Sequence, residues 1–411
     1  MKKKIIIKVF SAFAGFDTQF LALRQYAKWY NLHTNGPLVE FKLVGWCEID
    51  KDAIVSHNAL FPEAKSCHYP DITKVAWERV PDFDVLIYSS CCQSLTRTGA
   101  QKGMTEGSGT PSSLIWYIRD AIRVKRPKVC ILENVPPLLE TKFEGEFEKW
   151  RNAVSECGYR NTWSTMCAAD FGVPQNRNRA FLVSVRNDIK KNIYFPKPIG
   201  CKVQAESLLE ENVDEKYYFS EEDAFAFVLN MKEKIAADFD IPQIYNKGNC
   251  VIKILTPSCK RYNVRVCPTL VADKNYGKAN YKRLLSTSHY PRLGVLEVWH
   301  TTDQVAIPYE KQIEEAFVDT KRKFKIINAS KEDIIKQINK MGPGDYFRLR
   351  RLTPRECLRF MSVEAKDINI LVGAGVSEAQ LHKQSGNAIV IKTMRYLYTS
   401  IFDDVSEWYR C

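Results

Sequence analysis

The chain has 411 residues, 45% of them hydrophobic and 26% charged, which is ordinary for a soluble globular protein and long enough for two domains. Its net charge of +12 and pI near 9 are not ordinary, and they point to a polyanionic partner. Thirteen cysteines are too dilute for a disulfide scaffold, no Cys-x-x-Cys occurs, and no run of residues approaches a membrane-spanning length.

The first residues, "MKKKIIIKVFSAFAGF", combine a basic start, an apolar run and a small-x-small triplet at Ala12, Phe13 and Ala14, the outline of a secretion signal. Lys8 interrupts that run, which is short and β-branched, so a buried first strand is the better reading. Three further runs, "FKLVGWCEI", "FDVLIYSS" and "KVCILENV", read as strands ending in small, polar or charged residues. Between them "FLALRQYAKWY", "KDAIVSHNALF" and "SLIWYIRDAIRV" carry apolar residues at helical spacing. This alternation predicts a parallel, doubly wound sheet covered on both faces, with ligands at the carboxyl ends of its strands. Gly15, Glu48, Cys91, Cys92 and Glu133 would meet there.

After "RAFLVSVRNDI" the alternation stops, and residues from about 191 to 345 read as an irregular, polar and basic insert. Within it, residues 251–292 hold nine Lys or Arg against Asp273 alone, interleaved with Tyr262, Tyr276 and Tyr281. Cations with aromatic rings suit phosphate contact and base stacking; a solvated basic loop is the plainer alternative. Cys250, Cys259 and Cys267 fit no common metal spacing. Order returns with "RLRRLTPRECLRFM", a helix with Thr353 as its cap and Pro354 in its first position. "LHKQSGNAIVIKTMRYLYTSIF" reads as a final helix.

Some residues suggest chemistry on their own. Gly15 follows the first strand and allows backbone to approach a ligand, while Glu48 could accept from both hydroxyls of a ribose. Asp71 suits an exocyclic amine, or merely caps a turn. Glu133, held among apolar groups, would keep its proton more readily and donate to a ring nitrogen. Strand alternation would put Arg177 and Arg179 on one face. Cys91 and Cys92 lack partners at metal-site spacing, and neighbouring cysteines form only a strained bridge, which leaves a nucleophile or packing.

Taken together, "FAGF", "GWCEID", "PDIT", "CCQS", "LENV", "QNRNR", "RLTPRECLRF" and "KQSGNAIV" resemble, in order and approximate spacing, the motifs of the cytosine-5 DNA methyltransferases. The resemblance covers about 250 residues at both ends of the chain and leaves the insert unmatched. It implies an α/β fold: a Rossmann-like S-adenosylmethionine-dependent domain, residues 1–190 plus 376–411, with a smaller irregular target recognition domain and hinge at 191–375.

It also implies roles. Cys92, preceding Gln93, would be the nucleophile that adds to carbon 6 of a flipped cytosine, with Glu133 bonding the ring. Arg179 would hold the base carbonyl and Arg177 tie down the catalytic motifs. Phe13, Gly15, Phe16, Glu48, Ile49, Asp71, Ile72, Ser90, Leu114 and Asn387 would contact S-adenosylmethionine and its product S-adenosylhomocysteine. Ser94, Arg97, Thr269, Leu270, Lys274, Lys282 and Arg283 would face DNA, and the stretch "SLTRTGAQKGMTEGSG" would be the mobile loop that closes on the base. Arg350, Glu356 and Arg359 are expected to be structural, and no metal is expected. In three places the chain departs from the pattern: Asp17 for a second glycine, Pro111 for a frequent arginine, and Cys91 for the proline that stiffens the nucleophile's turn.

The expected partner is double-stranded DNA, met by a monomeric enzyme of the bacterial cytoplasm or nucleoid that pairs functionally with a restriction endonuclease. A tRNA cytosine methyltransferase on the same scaffold is the nearest rival, disfavoured because its recognition segment is much reduced. A catalytically impaired DNA-binding relative is disfavoured because Cys92, Gln93, Glu133, Arg177 and Arg179 are all present.

Overall fold

The computed structural model describes residues 2–96, 101–201, 203, 205–220, 345–405 and 408, together with strands at 245–247, 250–255, 267–268 and 294–300. Its main sheet has seven strands: β1 (Lys4–Ala12), β2 (Leu38–Cys47), β3 (His68–Tyr69), β4 (Val85–Tyr88), β5 (Val129–Asn134), β6 (Tyr159–Cys167) and β8 (Asn178–Arg186), in the order β3-β2-β1-β4-β5-β8-β6. Side-chain alternation builds a core on each face. Ile7 and Val9 of β1, Val85 and Ile87 of β4, and Val129 and Ile131 of β5 enter one core. Phe10, Ala12, Leu86, Tyr88, Cys130 and Leu132 enter the other. The helices α1 (Thr18–His33) and α2 (Lys51–Leu60) cover the first; α3 (Trp116–Lys125) and α4 (Thr141–Glu156) cover the second.

The sheet is mixed rather than parallel. β8 runs antiparallel to both β5 and β6, so it alone is reversed. Its continuous apolar run looks like any buried strand, and direction is not encoded in such a run. The reversal brings the beginning of β8, where Ala180 pairs with Asn134, to the carboxyl end of β5. β1 lies between β2 and β4, so the strand order turns at the β1–β4 boundary, where an open crevice is expected.

Two other expectations change. The last helix is two, α7 (Glu378–Asn387) and α8 (Ile391–Ile401), separated by extended backbone at Ala388 and Val390. Arg177 takes the carbonyls of Gly386 and Ala388, each at 2.7 Å, and Ile389 and Val390 are buried in the break. The insert is not wholly irregular either. β9 (Tyr245–Lys247), β10 (Cys250–Leu255), β12 (Gly294–His300) and β13 (Asp345–Arg351) form an antiparallel sheet in the order β13-β12-β10-β9. Only Gly248 and Asn249 separate β9 from β10 in the chain, a two-residue hairpin signal, whereas β10, β12 and β13 lie several dozen residues apart and carry none. A further pair joins β11 (Cys267–Pro268) to β7 (Gln175–Asn176), leading the insert back to the arginine segment. Among the described residues no helix is long and apolar enough to cross a membrane.

Past β13, α5 (Pro354–Phe360) begins with the expected Thr353 cap and Pro354, completed by a reciprocal bond between Glu356 and the Thr353 backbone. α5 and α6 (Ala365–Gly373) share the core of α1 and α8. Arg350 meets Glu356 through two bonds of 2.9 Å, with both side chains fully buried. Glu356 also accepts from the backbone N–H groups of Thr353 and Glu210, and Arg359 donates to the carbonyls of Leu208 and Leu209. This knot joins the strand leaving the insert to the helical end of the chain. Glu356→Ala strands a buried guanidinium and is expected to cost about 3–5 kcal/mol in urea unfolding; a loss below about 1 kcal/mol, the size of an exposed pair, would contradict this role.

Candidate active site

The loop after β1 is shaped by three left-handed residues, Phe13 (φ 55°), Gly15 (φ 58°) and Asp17 (φ 65°). Only Gly15 takes this conformation without steric cost, whereas Asp17 compensates for it locally. Asp17 Oδ1 accepts from Phe20 N–H, capping α1, and from Ser11 Oγ, both at 3.0 Å. Its other oxygen lies 3.5 Å from Nε2 of His57, whose ring stacks on Trp46 at 3.6 Å. Asp17 and His57 are both fully buried. The missing glycine is thus replaced by an acid that caps a helix and faces a buried imidazole.

Glu48, at the end of β2, closes the loop from the other side. Gly15 N–H donates to Oε2 at 2.8 Å, while Ile49 and Asp50 N–H donate to Oε1. A carboxylate has about four acceptor positions, and three of them are taken by these backbone N–H groups. Ile49 beside it is 72% exposed, an apolar side chain open to a flat ring. Phe13 and Leu114 are half-buried, whereas Phe16 and Ile72 belong to the cores. Asp71 caps a short helical turn by accepting from Thr73, the plainer of its two readings. Asn387 is exposed at the end of α7, between the two carbonyls held by Arg177.

β4 ends in the turn that carries the cysteines. Proline's stiffness is replaced by hydrogen bonds. Ser112 Oγ donates to the carbonyl of Cys91 at 2.5 Å and accepts from Ser94 N–H. The Asn134 side chain donates to Ser90 at both its carbonyl and its hydroxyl. Ser112 stands next to Pro111, which starts the helical turn Pro111–Ile115. Neither Asn134 nor Ser112 was singled out in the sequence, although each adjoins a residue that was. Gln93 is exposed, and Ser94, expected against DNA, is buried with both backbone groups used inside the loop.

Of the loop expected to be mobile, residues 94–96 and 101–109 are described. Met104 is fully buried; its N–H donates to Glu146 of α4 and its carbonyl accepts from Trp116 Nε1. Gly103 (φ 75°) lies in the left-handed region that favours glycine, and a Cβ there would push the Glu146 carboxylate aside. Arg97, Thr269, Leu270, Lys274, Lys282 and Arg283 lie outside the described residues.

Glu133 is buried at the end of β5, with Oε1 facing Arg179 Nε at 3.1 Å and Oε2 accepting from Ser89 Oγ at 3.0 Å. Arg177 precedes β8 rather than alternating within it with Arg179, yet both positive charges bear on Glu133 and Cys92. Burial raises the Glu133 carboxyl above the usual carboxylate range, against the opposing pull of the arginines and Ser89. Burial likewise raises the Cys92 thiol; Arg179 and, less strongly, Arg177 oppose that, while Cys91 and Glu133 add to it. The Cys91 thiol is raised chiefly by burial and also feels Glu48. A thiol, a buried carboxyl group and two arginines therefore converge, near the loop that follows β1. Among the described residues no three His, Cys, Asp or Glu side chains are placed to hold a metal.

Comparison with known proteins finds relatives across the whole chain. The family model described as C-5 cytosine-specific DNA methylase matches residues 7–403. The chain is 26% identical to the orphan methyltransferase M.SPRI of Bacillus phage SPR, over 96% of this chain and 97% of that one. It is also 26% identical to the type II methyltransferase M2.ScrFI of Lactococcus lactis subsp. cremoris, over 97% and 99%. Among solved structures, the methyltransferase EhMeth of Entamoeba histolytica superposes with a TM-score of 0.60 at 14% identity, covering 98% of this chain and 99% of that one.

A thiol raised above its ordinary value is mostly protonated at neutral pH. Its thiolate, and with it the rate of Cys92 alkylation by iodoacetamide, should rise about tenfold per pH unit below the thiol's pKa. Arg179→Ala removes the stronger opposing charge and should slow that alkylation. Mass spectrometry of the Cys92 peptide reads both; a flat pH dependence would contradict the raised thiol.

Proposed function

We propose, on the premise that the chain belongs to the C-5 cytosine-specific DNA methylase family, that it methylates carbon 5 of cytosine in a specific duplex DNA sequence through a covalent adduct on Cys92. The convergence of Cys92, Glu133, Arg177 and Arg179 at one strand-end crevice carries this reading.

Cytosine is unreactive at carbon 5 until its ring is made electron-rich. The Cys92 thiolate adds to carbon 6, breaking the 5,6 double bond, while Glu133 supplies a proton at ring nitrogen 3 and accepts from the exocyclic amine. Arg179, already fixed on Glu133, is placed for the base carbonyl, and Arg177 holds the catalytic and C-terminal segments together. S-adenosylmethionine, when bound, supplies an electrophilic methyl group. Loss of the carbon-5 proton to solvent then lets Cys92 leave as its thiolate, ring nitrogen 3 returns its proton to Glu133, and the aromatic ring is restored. The left-handed loop at Phe13–Asp17, Glu48, Ile49 and Asn387 fit a nucleoside-containing cofactor, with Ser90 holding the turn between it and the base. The target atom is hidden in a duplex, so the base must be flipped into this crevice.

The catalytic part spans residues 1–190 and 376–411 in this reading, and 191–375 supply target recognition and the hinge. Thr269, Leu270, Lys274, Lys282 and Arg283 contact DNA there, with Arg97 on the catalytic side. The enzyme acts as a monomer, and the type II name of one relative suits pairing with a restriction endonuclease.

With S-adenosylmethionine labelled in its methyl group, the protein should label mixed-sequence duplex DNA, and unlabelled tRNA should not compete. Absence of label in DNA would reject the function, and label passing into tRNA in a mixed assay would replace it with the tRNA activity.

A further inference from the structure

The side chain of Glu133 is reached from a direction that the proposed mechanism does not use. Gln19, in the first turn of α1, is buried. Its side-chain nitrogen donates to Ser89 Oγ at 3.0 Å, and Ser89 Oγ donates to Glu133 Oε2 at 3.0 Å. We propose that Gln19 and Ser89 are positioning residues for methyl transfer, forming a relay that sets the direction of the Ser89 hydroxyl and fixes the Glu133 carboxyl against the target ring. The relay deepens, and rests on, the role proposed above for Glu133.

Hydrogen-bond chemistry sets the direction of the relay. An amide nitrogen only donates, and a carboxylate only accepts. With Gln19 on one side and the ionised Glu133 carboxylate on the other, the single hydroxyl proton of Ser89 must point to Glu133. Without Gln19 the hydroxyl is free to turn. The last torsion of a glutamate side chain is also broad and weakly held, so a carboxyl that must meet two atoms of a ring needs both oxygens fixed from outside. Arg179 holds Oε1 and Ser89 holds Oε2, from opposite neighbouring strands.

The anchor is itself held. The Gln19 carbonyl accepts from Tyr398 Oη of α8, and Thr18 Oγ1 accepts from Ile389 N–H. Gln19 Oε1, in contrast, is buried with no hydrogen-bond partner among the described residues. An apolar side chain would avoid that cost, whereas the amide nitrogen supplies the bond to Ser89.

The charged groups that bear on Glu133 are Arg179 and Arg177 at the start of β8 and Cys92 beyond β4. The bond from Ser89 favours the ionised carboxyl, so its loss makes Glu133 hold its proton more tightly. If the protonated form acts on the ring, activity falls as pH rises through the Glu133 titration, and Ser89→Ala moves that fall to higher pH.

Steady-state methyl transfer by the full chain tests this. Ser89→Ala should lower kcat about tenfold while KM for S-adenosylmethionine and DNA stays within about twofold, and its alkaline fall should shift upward. Ser89→Thr should restore both. Gln19→Met should lower kcat in the same direction, by less, and add little to Ser89→Ala in the double variant. It leaves the nucleophile's turn untouched, so it carries the test alone if Ser89→Ala does not fold. An active wild type with unchanged kcat and pH profile in these variants, no rescue by threonine, or additive losses would overturn the relay. An inactive wild type would overturn the function on which it rests.

Discussion

Glu133 is a carboxyl group at the end of a central strand, where little water reaches it and its charge must be balanced by neighbouring protein groups. Much of the surrounding architecture meets that constraint. The reversed strand β8 has its first residues, not its last, beside the end of β5, so Arg179 can face the carboxyl at 3.1 Å. A parallel strand in the same place would deliver its N-terminal residues to the opposite edge of the sheet. Arg177, in the same entry segment, reaches instead to the carbonyls of Gly386 and Ala388 and ends α7. One pair of arginines thus charges the site and fastens the C-terminal segment to it.

The same balance explains how two half-exposed thiols can share a turn without being equivalent. Cys92 feels Arg179 and Glu133, while Cys91 feels Glu48 on the cofactor-loop side. The proposed division of labour, nucleophile and stand-in for proline, follows that difference in surroundings. Cys91 does not have to supply stiffness itself, because Ser112 and Asn134 hold the backbone around it. Asp17 is a parallel case: it accepts a left-handed conformation suited to glycine, and its carboxylate offsets the strain by capping α1.

Much of this was legible in the sequence. Continuous apolar strands alternating with amphipathic helices identify the two-faced sheet, and the strand ends deliver Gly15, Glu48, Cys92 and Glu133 to one crevice. The reversal of β8 was not legible, because a buried strand reads the same in either direction. The break between α7 and α8 was hidden because it depends on Arg177, some two hundred residues away. In the sheet within the insert, Gly248 and Asn249 between β9 and β10 are a legible hairpin signal, but β10, β12 and β13 pair across stretches too long for turn signals to register. Gln19 and Ser89 were overlooked for a related reason: a serine at a strand end and a glutamine in a helix are unremarkable until folding places them 3.0 Å apart.

The central claim is that Cys92 attacks cytosine, and covalent capture tests it most directly. Duplex DNA carrying 5-fluorocytosine in place of cytosine leaves no carbon-5 proton to lose, so the enzyme should stay attached. With S-adenosylmethionine present, a denaturation-resistant adduct should form, and peptide mapping should locate it on Cys92. No adduct, in a preparation that methylates ordinary DNA, or an adduct on Cys91, would contradict the account.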